Sequence, residues 1–221
     1  MKSTWCVVTS VHSSYIIAPI CFCVNNNVET KNVFIDAGAH LGKAFTGFKR
    51  LDKFNLNRCD YILIEANKEC INTLKSIANG GQEITILNKA LFTQDSMIQL
   101  YGENVHSLTN PSEGLSLIQD HNTMYWPASP LTSVESIDAS RFLVELSKKY
   151  ENIYLKLDIE AAEYDVLEKI IHDGSYMHIK ELWIEWHDRY MLPELRHHYI
   201  ERQTKIEAFF SAHKIPINSW N

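Results

Sequence analysis

The sequence predicts an α/β chain of the doubly wound class, built on a mostly parallel sheet. Two observations predict it. Short, nearly continuous apolar runs alternate with amphipathic stretches of helical length, and a run without polar alternation belongs to a strand covered on both faces. Strands and helices in alternation imply repeated crossovers over one sheet. A third observation says where to look for a ligand. Such sheets bind small molecules beyond the carboxyl ends of their strands, near the switch point. Four core runs end there in polar residues: Asp36, Glu65, Asp158, and Glu185 to His187.

The elements follow in order. Residues 5–24 are apolar in patches and are expected to form two short strands, or a strand and a helix, within an extension over residues 1–31. His12, Ser13 and Ser14 interrupt the run, which suits neither a secretory signal nor a membrane span. Asn25 to Asn27 read as a turn. Residues 32–38 (NVFIDAG) form the first buried strand and 43–54 a helix. Residues 60–67 (DYILIEAN) form a second strand, and 68–79 a helix stopped by Gly80 and Gly81. Residues 83–92 are expected as one strand, and 96–101 alternate like an antiparallel one. Three of the six prolines fall within 102–131, which reads as a lid or substrate loop. Residues 133–150 carry a helix, 152–160 a strand, 161–174 a helix, 179–187 a strand and 193–213 a long helix before IPINSW. No linker divides the 221 residues, so one domain over 1–221 is expected, large enough to bury about 70% of its unfolded surface.

A net charge of −6 argues against nucleic acid as the partner, because phosphate neutralisation needs a cationic face. A neutral or cationic small substrate suits it better. The five cysteines have no framework or zinc spacing and read as free thiols of a reducing, cytoplasmic compartment.

In DAGAHLG (36–42), Gly38 and Gly42 permit a tight turn that brings a ligand against main-chain N–H groups. The pattern lacks G-x-G-x-x-G, and a strand-end carboxylate opposes a pyrophosphate. Asp36 suits an ammonium group instead, such as the methionine part of S-adenosylmethionine. Glu65, at the tip of the second strand, is placed to accept hydrogen bonds from ribose hydroxyls. In YLKLDIEAAEYDVL (154–167), Lys156 and Asp158 share one side of a strand, and Glu160 and Glu163 follow. So many charges at one strand end must be paired or used.

These stretches, with NKALF and LWIEWH, stand in an order and at spacings that resemble the FkbM family of S-adenosylmethionine-dependent methyltransferases, over roughly residues 32–190. The resemblance implies a Rossmann-like fold of the class I methyltransferase type and O-methylation of a hydroxyl, often on a sugar or glycosylated metabolite. Carried over by position, it implies that Asp36, Gly38, His40 and Gly42 face the methionine moiety and Glu65 the ribose. Asn88, Lys89 and Ala90 would lie near the adenine, and Asp158 near the sulfonium and the acceptor. Ala161 stands where the family commonly has Gly, and His40 where it commonly has Asn or a similar residue.

A sugar hydroxyl needs a general base, and His187 is the expected one, with Asp158 orienting it or acting in its place. Lys156, Glu160 and Glu163 are expected at the acceptor, and Tyr125 and Trp126 on the loop as a stacking surface for a sugar. Asp158, Glu185 and His187 together suggest a Mg²⁺ variant, but magnesium prefers oxygen ligands, and no metal is the expectation. His197 and His198 read as surface residues. A nicotinamide oxidoreductase and an inactive nucleoside-binding module are the alternatives from other classes. RNA methylation is disfavoured by the acidic balance.

Overall fold

The computed structural model describes residues 31–54, 59–78, 84–102, 114–121 and 130–220. The N-terminal extension lies outside them, as do Tyr125 and Trp126. In chain order the first elements are β1 (Asn32–Ala37), α1 (Lys43–Phe48), β2 (Cys59–Ile64), α2 (Ile71–Ile77), β3 (Ile84–Leu87), β4 (Ala90–Phe92) and β5 (Met97–Tyr101). There follow β6 (Pro130–Asp138), α3 (Ala139–Ser147), β7 (Asn152–Leu157), α4 (Glu163–His172), β8 (Ile179–Ile184), α5 (Pro193–Ala212) and β9 (Ile217–Ser219).

Six strands form an all-parallel sheet in the order β3-β2-β1-β7-β8-β9. This is the Rossmann-like, doubly wound architecture, and its switch point lies between β1 and β7. Period-two alternation sorts the central strands onto two cores. Val33, Ile35, Ala37, Leu155 and Leu157 pack with Leu143 of α3, Val166 of α4 and Phe210 of α5. Phe34, Tyr61, Leu63, Tyr154 and Trp183 pack with Phe45 and Phe48 of α1 and Leu74 of α2. The second core is largely aromatic, with Phe34 and Phe48 ring centroids 4.5 Å apart. Being buried on both faces is what makes β1, β2 and β7 apolar without interruption.

Two segments depart from expectation. Residues 83–92 break at Asn88 into β3, in the main sheet, and β4, which pairs with β6 in a second sheet ordered β4-β6-β5. Residues 133–138 are the end of strand β6 rather than helix. Asp138 then caps α3 by accepting from the Arg141 N–H. The first helix is also shorter than expected, ending at Phe48.

The seam between α4 and α5 is closed by Arg202, which reaches Asp165 and Glu168 and lies over the rings of Tyr164 and Tyr199. The guanidinium combines a bidentate contact with aromatic stacking, which lysine does not reproduce. Arg202→Ala should cost about 1–2 kcal/mol of unfolding free energy. Arg202→Lys should recover less than half of it, measured by urea denaturation.

Candidate functional site

A cavity of about 680 Å³ opens over the carboxyl ends of β1, β2 and β7, within the range of about 300–1,000 Å³ usual for small-molecule sites. It is lined by Gly38, Ala39, His40, Glu65 and Asn67 beside β1 and β2, and by Lys89, Ala90, Leu91 and Leu100. Asp158, Glu160, Glu185, His187, Tyr190 and Trp220 line it as well, with Asp158 directly against Gly38.

The β1 turn is shaped by positive φ angles at Gly38 (74°), His40 (43°) and Gly42 (81°). Gly38 and Ala39 both donate their N–H to the Ile64 carbonyl, which ties the turn to the end of β2. At the tip of β2 the Glu65 carboxylate is buried, with Oε2 accepting from the His40 N–H at 2.6 Å and Oε1 from the Asn67 N–H at 2.7 Å. Asn88 donates to the Glu65 and Ala66 carbonyls, holding this tip in place from behind. Burial pushes the Glu65 carboxyl above its usual range, and the two N–H donors pull it back in part.

Asp36 does not reach the cavity. It is fully buried, in register with Lys156 on β7, and its Oδ1 lies 3.1 Å from Lys156 Nζ. Burial raises the Asp36 carboxyl, and Lys156 offsets only part of that. Burial works against the Lys156 ammonium too, but Asp36 and Asp158 outweigh it and keep the group charged. Lys156 also donates to the Gly38 carbonyl at 2.8 Å and lies 3.1 Å from Asp158 Oδ2. The expected contact between Asp36 and a ligand is therefore corrected: Asp36 acts through Lys156, which braces both the turn and Asp158. Gly42 and Asn88 likewise support the wall from behind, whereas Gly38, His40, Glu65, Ala90, Lys156, Asp158, Glu160 and His187 line it.

Asp158 Oδ2 also accepts from Trp220 Nε1 at 3.3 Å, and Oδ1 faces His187 Nε2 at 3.8 Å. Glu160 and Ala161 follow with φ of 54° and 74°, a left-handed pair without glycine. Ala161 is fully buried, and its backbone is one that glycine takes without strain. Glu163, expected at the acceptor, is fully buried behind the wall. Its Oε1 accepts from the Ile159 N–H and lies 3.1 Å from His187 Nδ1, so it orients the imidazole. Burial pulls His187 down, but Glu163, Glu160 and Asp158 outweigh it and push the ring up to about 10. The carboxylates around it thus favour the protonated form of the imidazole. Glu160 is pushed up to about 7, chiefly by burial.

Trp220 lines the cavity, and His121 lies behind it against Glu160 and His187; neither is singled out by the sequence patterns above. His121 is held by a bridge to Met191, its ring buried against Glu160 and 5.6 Å from the His187 ring centre. Burial, with His187 beside it, pulls its pKa down to about 3. Nothing in the irregular stretch around it marks it. Trp220 had a signal, since it directly follows the last strand, where strand-end logic applies.

No family model and no curated protein matches the chain. Among solved structures, the chain is similar to the methyltransferase FkbM from Methylobacillus flagellatus, with a TM-score of 0.44 and 14% identity. The match covers 83% of this chain and 40% of that one, so the chain spans well under half the length of that protein.

Proposed function

We propose that the chain is a methyltransferase that uses S-adenosylmethionine and methylates a hydroxyl of a sugar, a glycan or a glycosylated metabolite. The observation that carries this reading is Glu65. Its carboxylate is buried at a cavity wall and fixed by two backbone donors, and each oxygen keeps a lone pair for a ribose hydroxyl. Beside it the bare backbone at Gly38 and Ala39 allows close approach, and Leu91, Leu100 and Leu115 offer an apolar surface to a base. These residues fit the nucleoside. The cofactor supplies an electrophilic methyl group on a sulfonium. The acidic end of the cavity suits that positive charge.

At that end, Glu160 is the group suited to take the acceptor's proton, since a carboxyl near 7 is poised for base work at neutral pH. His187, oriented by Glu163, and Asp158, braced by Lys156 and Trp220, position the acceptor oxygen. Alignment of this kind supplies most of the acceleration of an in-line displacement. The all-parallel strand order also suits a dinucleotide, which keeps a nicotinamide reading as the second. The carboxylates at the switch point oppose a pyrophosphate, which places that reading behind the first.

Calorimetric titration separates the two. S-adenosylhomocysteine should bind at micromolar concentration and NAD⁺ should not bind. Glu65→Gln should weaken the first by about 10-fold or more, as loss of a charge-assisted hydrogen bond does. The ionised carboxylate is the binding form, and burial raises its pKa. Affinity should therefore fall as the pH is lowered from neutral, and the Gln variant should lose that dependence. Absence of S-adenosylhomocysteine binding, or an unchanged affinity in Glu65→Gln, would sink the reading.

A further inference from the structure

Asp158, Glu160 and Glu185 line the cavity beside β7 and β8, with Glu163 buried behind them. Lys156, shared with Asp36, serves Asp158, Arg189 serves Glu185, and the His187 ring lies among Asp158, Glu160 and Glu163. Carboxylates gathered at a largely buried place are stable only when paired, protonated or bound to a cation. The polar atoms also sit at an unusual spacing. His187 Nε2 lies 3.5 Å from Glu160 Oε2 and 3.8 Å from Asp158 Oδ1, and His121 Nε2 lies 3.3 Å from the same Glu160 oxygen. These are long for hydrogen bonds. The 3.8 Å between His187 Nε2 and Asp158 Oδ1 matches two ligand atoms each about 2.1 Å from a shared cation, which fall roughly 3.0–3.8 Å apart for angles of about 90–130°.

We propose that a divalent transition-metal cation binds here, held by His187 Nε2 with the carboxylates of Asp158 and Glu185. One ligand atom from each of Asp158, Glu185 and His187 lies within 4.8 Å of the others. An independent observation is His121. It is only 5% exposed, neither ring nitrogen has a hydrogen-bond partner, and its Nε2 faces the same Glu160 oxygen as His187 Nε2 does. Buried polar groups are normally hydrogen-bonded, and an imidazole without such a partner beside this cluster points to a polar partner not supplied by the protein.

The surroundings also have the form that metal sites take. Glu163 stands behind His187 at Nδ1, leaving Nε2 as the atom turned to the cluster, the carboxylate–histidine arrangement usual behind a metal-bound imidazole. Lys156 and Trp220 hold one oxygen of Asp158 and leave the other turned toward His187. The left-handed pair at Glu160 and Ala161 stores backbone strain beside the same place. Mixed imidazole and carboxylate donors select Mn²⁺, Fe²⁺, Co²⁺ or Zn²⁺ over Mg²⁺, which prefers oxygen alone. Resting on the methyltransferase reading, an open coordination position on such a cation would take the acceptor oxygen and make its hydroxyl easier to ionise. Binding of the cation itself does not depend on that reading.

The test is a Mn²⁺ titration of the full chain after chelator treatment, followed by loss of the free-ion paramagnetic resonance signal, without nucleoside. One Mn²⁺ per chain is expected, displaced by Zn²⁺ but not by equimolar Mg²⁺. Glu185→Gln and Asp158→Asn should each weaken Mn²⁺ at least 10-fold, with circular dichroism confirming that both fold. His121→Ala, checked for folding in the same way, should weaken it by a smaller factor. Lack of stoichiometric binding would overturn the proposal. So would affinity unchanged in both carboxylate variants, which would make the ion adventitious, or equal displacement by Mg²⁺. S-adenosylhomocysteine titrated in the presence of chelator reads the methyltransferase proposal separately, so either can fail alone.

Discussion

Lys156→Met is expected to lower the unfolding free energy at pH 7 by about 3–5 kcal/mol, the cost of leaving a buried partner charge without its counter-ion. The reason lies in Asp36, which is fully buried, does not line the cavity and has Lys156 Nζ 3.1 Å away. Without the ammonium, the desolvation that already raises the Asp36 carboxyl is opposed only by the Phe45 backbone. The sign with pH follows. A carboxyl whose folded pKa lies above its unfolded value destabilises the fold at high pH, and the penalty fades as pH falls toward the unfolded value of 3.8. The variant should therefore lose most stability at neutral pH and recover part of it near pH 5, the reverse of ordinary acid denaturation. Removing both charges, as Lys156→Met with Asp36→Leu, should restore more than half of the loss, because an apolar pair leaves nothing unsolvated. Urea midpoints at three pH values decide it. A single variant that costs under about 1 kcal/mol, or whose cost does not fall with pH, would refute this account of Asp36.

That pair also shows how far the sequence could be read. Asp36 and Lys156 were visible as charges at the ends of apolar strands, because strand periodicity and the rule of carboxyl-end binding are local and topological. Whether a strand-end carboxylate turns to the cavity or into the sheet is decided by which strand lies beside it in which register. Asp36 and Lys156 are neighbours only because β7 pairs directly with β1 across more than a hundred residues of chain. The same limit explains the second sheet. β6 is exposed along much of its length, so Pro130–Asp138 has no continuous apolar run to announce a strand, and the helix behind it dominates the pattern. His121 was illegible for a further reason: its place depends on a bridge to Met191 and on the ring of His187, both distant in sequence. The place of Glu65 was legible. It needs only the end of β2 and a neighbouring turn, and DYILIEAN and DAGAHLG carry both.

Gly38→Ala should be the most damaging single methyl group that can be added to this chain's ligand wall, at about 3–5 kcal/mol. Two costs coincide there. The residue has φ of 74°, which an L side chain takes only under strain, and its new Cβ would lie 1.7 Å from the Asp158 carbonyl oxygen. That oxygen belongs to the backbone just beyond β7, so it moves only if the ends of β1 and β7 part. Gly42 is the control. Its φ is 81°, nearly the same, but a Cβ there would meet Ile77 Cδ1 at 2.1 Å, the far end of a flexible side chain that can turn away. Gly42→Ala should accordingly cost about 1–3 kcal/mol and leave S-adenosylhomocysteine affinity within a few-fold. Gly38→Ala should reduce that affinity beyond detection even where the protein remains folded. The displaced strand end carries Asp158 and Glu160, and the distorted turn carries the His40 N–H that holds Glu65. Equal costs for the two alanines would mean that the conformation of the glycines, rather than the closeness of the two strand ends, governs this turn. A stable Gly38→Ala protein with normal nucleoside affinity would remove the turn from the binding site altogether.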